Sequence, residues 1–214
     1  GFLAQLSLHL GLAWLCSMFA LTAWALLGIE RIVYGAIYHF PDGFKKLCQD
    51  QVKGLLEYDG GLFWMVAKQI GVVIKVFQFG VVGYDVLFRL TFHLDPALLL
   101  VGLAMVGLGQ LLNMAVFKEL GAAGVYFGHQ FGYDVPWVEG FPYNLGISDP
   151  QYWGVVLTIW GLYLAVAPTW NVLSGHFVVP WVELFWYVMS MKLLEHTENG
   201  GRALKRLGLK KQTP

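Results

Sequence analysis

Residues 97–117 carry no Asp, Glu, Lys or Arg; Asp95-Pro96 stands before them and Lys118-Glu119 closes them. A bilayer core needs roughly 20 consecutive apolar residues to be crossed by a helix. In hydrocarbon every backbone polar group must be satisfied within the chain, so only helices and closed barrels span it. A run of this length has no strand period, which leaves a helix. Asp95-Pro96 reads as its N-cap and first helical position.

The rest of the chain repeats the pattern. Residues 2–28 are apolar up to Glu30, too long a run for a typical signal-peptide core. Gly1 in place of Met implies a processed or truncated chain. Residues 30–60 hold Glu30, Arg31, Lys45, Lys46, Asp50, Lys53, Glu57 and Asp59 and read as a loop with a surface helix. Residues 62–90 are apolar but carry Lys68 and Lys75, and 151–167 end at Pro168. Residues 171–195 contain Pro180 and Glu183, and the region 200–214 is a basic tail. The expected fold is all-α: one domain over 1–214, a polytopic membrane bundle of four to five hydrophobic helices. The first segment fits either a full span or a re-entrant helix.

Only 13% of the chain is charged and its net charge is zero, so no global field favours nucleic acid. Cys16 and Cys48 lack His or Cys neighbours at ligand spacing, read as packing residues, and leave no metal site. If five segments cross, one side collects Arg31, Lys45, Lys46, Lys53, Lys118, Lys192, Arg202, Lys205, Arg206, Lys210 and Lys211, and the other only Arg89. By the positive-inside rule the crowded side faces the cytosol, or the matrix of a mitochondrion.

Four stretches invite chemistry. Gly107-Leu108-Gly109 reads as a packing notch between helices or as a ligand contact. Gly124, Gly128 and Gly132, four apart, would line one helix face for packing or for a flat ligand. The loop FPYNLGISDPQYWG, 141–154, holds Tyr143, Asn144, Asp149, Tyr152 and Trp153. An aromatic belt at the headgroups accounts for its rings but not for Asn144 and Asp149. The last segment ends in Glu195-His196, and Glu183 lies inside it, where an acid is costly and faces a cavity or a partner.

From Gly107 to about Lys205 these motifs, in this order, resemble the phosphatidylethanolamine N-methyltransferase family. The carrying residues are VGLGQLLNMAVFKELGAAGVYFGHQFG, GFPYNLGISDPQYWG and LLEHTENGGRALKR. Residues 1–95 resemble it only in hydropathy. The resemblance implies S-adenosylmethionine as cofactor, bound by Gly107, Leu108 and Gly109 and by Glu195 with His196. It implies a membrane phospholipid amine as acceptor. Asn144, Tyr143, Tyr152 and Trp153 would receive it, and Asp149, Glu195 or His196 would accept its proton. A product close to a quaternary ammonium suits aromatic faces. The family's Glu-Glu pair reads Glu195-His196 here, and Asp149 replaces its asparagine. The resemblance implies an endoplasmic reticulum or mitochondrial membrane. The competing reading is a non-catalytic subunit of a membrane complex, joined to other subunits through Lys68 and Lys75, which share a helix face. A transporter is disfavoured by the absence of an internal repeat.

Overall fold

The computed structural model describes residues 2–51, 63–90, 92, 94–136, 138–147, 149–167 and 177–206, with side chains described between 18 and 192. Among the described residues there are six α-helices: α1 (Phe2–His39), α2 (Pro41–Gln51), α3 (Phe63–Tyr84), α4 (Pro96–Val125), α5 (Pro150–Val166) and α6 (Val178–Arg206). A π-helical turn, Asp85–Arg89, extends α3, and two 3-10 turns, Gly128–Phe131 and Tyr143–Leu145, lie between α4 and α5. No strand occurs among the described residues. Three stretches are long and apolar enough to cross a membrane: Met18–His39, Phe63–Arg89 and Pro96–Phe131. The expected all-α membrane bundle is what the chain forms.

The outer surface confirms the solvent. Phe77, Phe79, Leu100, Leu103 and Met114 are all more than half exposed. In water such a surface would be an aggregation patch; against lipid tails it costs nothing.

Residue pairs fix how the helices run. Glu30 meets Lys75, and Tyr34 lies against Gly71, so α1 and α3 are antiparallel. Tyr152 meets Tyr187 edge-on and Trp160 meets Trp181 edge-on, so α5 and α6 are antiparallel. Arg31 reaches Tyr187, while Trp24 packs on Trp186, so α6 runs with α1. The ends of α1 and α6 and the turns before α5 therefore share one end of the bundle. Tyr38 of α1 touches Phe127 and His129 there.

The tightest helix pair is α4 against α5, and glycines make it. A Cβ on Gly154 would stand 2.7 Å from the Gly109 carbonyl oxygen, and one on Gly161 2.6 Å from that of Gly102. Gly102 and Gly109, and Gly154 and Gly161, are each seven apart, two helical turns, so one face of each helix is bare at both contacts. In lipid there is no hydrophobic drive to pair helices; close backbone approach supplies dispersion instead. Gln110 Nε2 donates to Thr158 Oγ1 at 3.0 Å across the same seam.

Several expectations need correction. Residues 30–39 are not loop: α1 continues to His39, and Pro41 starts α2. Glu30 and Arg31 break the hydropathy but not the helix, because both are buried in partners within the bundle. Arg31 is thus no loop cation. Helix α6 likewise runs to Arg206, beyond the start of the polar tail. Gly124, Gly128 and Gly132 do not line one helix face. Phe127 at φ 62° and Gly132 at φ 91° turn the chain out of the helix, and Gly128 sits in a 3-10 turn. Asp95 caps α4 as expected, its Oδ1 accepting from Ala97 N at 2.8 Å. Cys48 is buried as a packing residue, and burial pushes its thiol above the usual range.

Two predictions follow the geometry. Single cysteines placed at Lys46 and Asn144 should label from one side of sealed vesicles and one at Asp95 from the other; labelling of Lys46 and Asn144 from opposite sides contradicts the arrangement. Gly109→Leu should lower the unfolding temperature in detergent by an amount equivalent to about 1–3 kcal/mol or more, since α5 backbone fills its space. Gly107→Ala should leave stability unchanged or raise it by up to about 1 kcal/mol, the helix-propensity gain of Ala over Gly, because nothing lies within 4 Å of its Cβ position.

Candidate functional site

Most of the residues singled out in the sequence lie at the shared end of the bundle. Asp149 caps α5 in the left-handed region (φ 44°), Pro150 takes the first helical position, and Tyr152 and Trp153 follow half-buried in the first turn. The Asp149 carbonyl accepts from Tyr152 N at 2.9 Å. Tyr143 and Asn144 form the 3-10 turn before it, Tyr143 half-buried and Asn144 exposed. Gly107 and Leu108 face outward on α4, whereas Gly109 is spent on the contact with α5. Glu195 and His196 belong to helix α6, but their side chains lie outside the described residues.

One member of the loop leads to something the sequence reading missed. Tyr152 is one of three tyrosine rings around the Arg31 guanidinium, whose carbon lies 4.7 Å from its centroid, 4.3 Å from that of Tyr187 and 5.5 Å from that of Tyr34. A guanidinium within about 6 Å of a ring face is attracted by the ring quadrupole. Behind the rings is a buried ionic cluster. Glu30 Oε2 accepts from Lys75 Nζ at 2.7 Å and pairs with Arg31 Nη2 at 3.0 Å. Lys75 Nζ also donates to Gln78 Oε1 at 2.9 Å and to the Tyr187 hydroxyl at 3.2 Å. Gln78 in turn donates to the Leu27 carbonyl at 3.0 Å, tying α3 to α1. Glu183, one turn before Tyr187 on α6, is buried within electrostatic reach of Lys75, Glu30 and Arg31.

This cluster settles Lys75 as a residue paired inside the chain. Lys68, seven residues earlier on the same helix, is half-buried. The cluster was hidden in the sequence because its members come from three helices, and because Glu30-Arg31 looked like the start of a loop. The available signal was the single apolar span through 18–39 interrupted by adjacent opposite charges.

A second buried pair lies near the other end. Asp85, wholly buried, accepts from Arg89 Nη1 at 2.7 Å and from the Tyr163 hydroxyl at 2.6 Å. On the lipid side of α4, a groove of about 480 Å³ is lined by Leu111, Met114, Lys118, Glu119, Gly140 and Phe141. No group of three or more metal-ligating side chains is found among the described residues.

Comparison with known proteins bears directly on this end of the bundle. The family described as phospholipid methyltransferase matches residues 97–197. A phosphatidyl-N-methylethanolamine N-methyltransferase of Saccharomyces cerevisiae is 30% identical over 162 residues, covering 72% of this chain and 68% of that one. The chain belongs to the phospholipid methyltransferase family. A phosphatidyl-N-methylethanolamine N-methyltransferase of Arabidopsis thaliana is 44% identical over 55 residues, 26% of this chain and 33% of its own length. A human phosphatidylethanolamine N-methyltransferase is 42% identical over 60 residues, 28% of this chain and 30% of its own length. The matches thus span about a third of the plant and human proteins. No solved structure matches the chain. Within the family frame, the matched residues 97–197 run from the start of α4, through the aromatic turns, into α6. Membership makes this an integral membrane protein, as the apolar spans require.

The cluster predicts its own energetics. Lys75→Gln should destabilise the folded protein by about 1.5–3 kcal/mol, the range for a hydrogen bond to a charged group. The double variant Glu30→Gln/Lys75→Gln should recover part of that loss, with a coupling between about 0.5 and 3 kcal/mol in a double-mutant cycle. Additive losses would show that Glu30 and Lys75 do not act as a pair.

Proposed function

We propose that the protein transfers methyl groups from S-adenosylmethionine to the amine of a phosphatidylethanolamine-type lipid, toward phosphatidylcholine. The observation that carries this is the similarity to the yeast phosphatidyl-N-methylethanolamine N-methyltransferase along 72% of the chain. The membrane-spanning helices supply the setting that a lipid acceptor demands.

S-adenosylmethionine carries a sulfonium cation and an amino-acid end bearing both charges. The buried set of Glu30, Arg31, Lys75 and Glu183, faced by the rings of Tyr34, Tyr152 and Tyr187, offers both signs of charge and aromatic surface, and so fits such a molecule. Of the glycines implied by the family resemblance, Gly107 has open space beside it and is free to take a ligand, with Leu108 next to it. Glu195 and His196 would hold the cationic end. When bound, the cofactor supplies the methyl group.

The chain's own part is to hold and orient. The lipid amine is an ammonium at neutral pH and must lose a proton before its lone pair can attack. Asp149, Glu195 or His196 accepts that proton. Tyr143, Asn144, Tyr152 and Trp153 receive the headgroup, the rings offering faces to a nitrogen that becomes steadily more alkylated. The groove beside Lys118 and Glu119 opens to lipid and suits an acyl chain. Aligning two substrates, one from water and one from the bilayer, is worth several orders of magnitude in rate. The cation-rich end faces the cytosol or matrix, in the endoplasmic reticulum or a mitochondrial membrane.

The test is methyl transfer. Purified protein in vesicles of phosphatidyl-N-methylethanolamine and phosphatidylglycerol, given methyl-labelled S-adenosylmethionine, should yield labelled dimethylated lipid. Tyr152→Ala should lower kcat/KM at least tenfold. Binding of the cofactor without any transfer would favour the non-catalytic reading.

A further inference from the structure

Helix α2 and the residue before it present apolar side chains on two sides, and the bundle covers one of them. Phe44 lies against Phe131 of the turn after α4, ring centroids 5.7 Å apart, and Cys48, one turn on, is buried. Beside that face Phe40 is 71% exposed and Leu47 58% exposed. The rest of the helix carries Asp42, Lys45, Lys46, Gln49 and Asp50. Its 11 residues rise about 16 Å, half of the roughly 30 Å of a hydrocarbon core, and its charges bar it from crossing. The neighbouring spans fix its level. The apolar stretch of α1 ends at His39, that of α3 begins at Phe63, and that of α4 ends at Phe131. Phe40 is the non-helical residue that Pro41 requires before it, so α2 departs from the line of α1. Phe63 touches the same Phe131, 5.6 Å away. The helix therefore sits where three spans leave the bilayer, at the height of the headgroups.

We propose that α2 lies in the membrane surface and reads how tightly the headgroups are packed, seating Phe40 and Leu47 between acyl chains where headgroups are small. Amphipathic helices bind an interface through buried apolar area plus attraction to anionic lipid, and they respond to lipid composition. Charge selects between the two modes. Asp42 and Asp50 balance Lys45 and Lys46, and Asp42 engages Lys45 at 3.4 Å, so the helix has no net attraction for an anionic surface. What remains is apolar insertion, which needs gaps between headgroups. The reading reaches the bundle through Phe131. Phe44 and Phe131 belong to one packed cluster with Tyr34, Tyr126 and Phe127, and Tyr34 is one of the rings around Arg31. Withdrawal of Phe40 and Leu47 from the lipid lets α2 shift against that cluster. The consequence for turnover, and only that, rests on the methyltransferase reading. An amine lipid has a smaller headgroup than its trimethylated product, so accumulating product closes the gaps and slows the enzyme.

The full chain is reconstituted, without S-adenosylmethionine, in vesicles of dioleoyl phosphatidylcholine, of that lipid with dioleoylglycerol, and of that lipid with dioleoyl phosphatidylglycerol. Dioleoylglycerol opens gaps between headgroups and carries neither charge nor amine. Leu47→Cys, in a Cys16→Ala background, takes a nitrobenzoxadiazole label. Cys48 is buried and its thiol is held above the usual range by that burial, so the introduced cysteine reacts first. The label should shift to the blue and brighten about twofold with dioleoylglycerol, and stay unchanged with phosphatidylglycerol. The same label at Gln49→Cys should not respond. Equal emission from Leu47→Cys in all three vesicles, a response to phosphatidylglycerol alone, or an equal response from Gln49→Cys overturns the proposal. Methyl transfer to phosphatidyl-N-methylethanolamine in the same vesicles should rise with dioleoylglycerol by about the same factor. Leu47→Glu should abolish that rise and keep the parent's rate in phosphatidylcholine; a rise that survives the substitution overturns the coupling to the bundle. A parent that transfers no methyl group refutes the enzymatic reading, and the emission of Leu47→Cys still decides for or against the surface.

Discussion

A carboxylate held between two cations inside an apolar bundle organises this protein. Glu30 is almost wholly buried, with Lys75 at 2.7 Å and Arg31 at 3.0 Å. Charges in hydrocarbon persist only when paired or turned to a cavity. The pairing therefore dictates where α1 and α3 can sit: a register slip would strand Glu30 or Lys75 in lipid. Tyr187 brings α6 into the same arrangement through its hydroxyl, and Tyr152 brings α5 in through its ring. One polar knot thus specifies four helices that apolar packing alone would leave free to slide. Whether it also adds net stability is a separate matter, since buried ion pairs often do not.

The contact of α4 with α5 works by the opposite means, through absence. Gly102 and Gly109 face Gly161 and Gly154 with nothing between the backbones but van der Waals contact. The two halves of the molecule therefore resist change differently. The α1–α3–α6 half is intolerant of lost charge, and the α4–α5 seam of added volume. The aromatic turns lie where the two meet, at Tyr126, Phe127, Tyr34 and Tyr152.

The helical fold was legible because span length and charge gaps are one-dimensional signals. Residues 97–117 announced α4, and Asp95-Pro96 its cap. The loop 141–154 announced an aromatic entry to α5, and Tyr143, Tyr152 and Trp153 stand around its start. What hydropathy could not show was the difference between a charge that ends a helix and one that is buried in it. Glu30-Arg31 looked like the first, and only Lys75, Gln78 and Tyr187, supplied by distant segments, make it the second. Four-residue glycine spacing likewise suggested a continuous helix face at 124–132. Phe127 adopts a left-handed conformation that its residue type gives no hint of. For Gly107-Leu108-Gly109, spacing alone could not separate packing from binding; the fold divides the motif, with Gly109 inside the seam and Gly107 outside it.

The break in α4 carries a consequence for where all this stands relative to the bilayer. From Pro96 to Phe131 the apolar stretch is 36 residues, which as one straight helix would rise about 54 Å, far beyond the roughly 30 Å of a hydrocarbon core. Gly121, at φ 65° and ψ 174°, interrupts the helix, and the segment before it rises about 38 Å. The first part of α4 is thereby a ruler, and Gly121 its end mark. The aromatic turns hang from that mark at a height fixed by residue count, not by affinity for the headgroups. A thinner or thicker membrane would sink or lift them together, so bilayer thickness itself becomes a variable that sets how far the turns stand from the lipid headgroups.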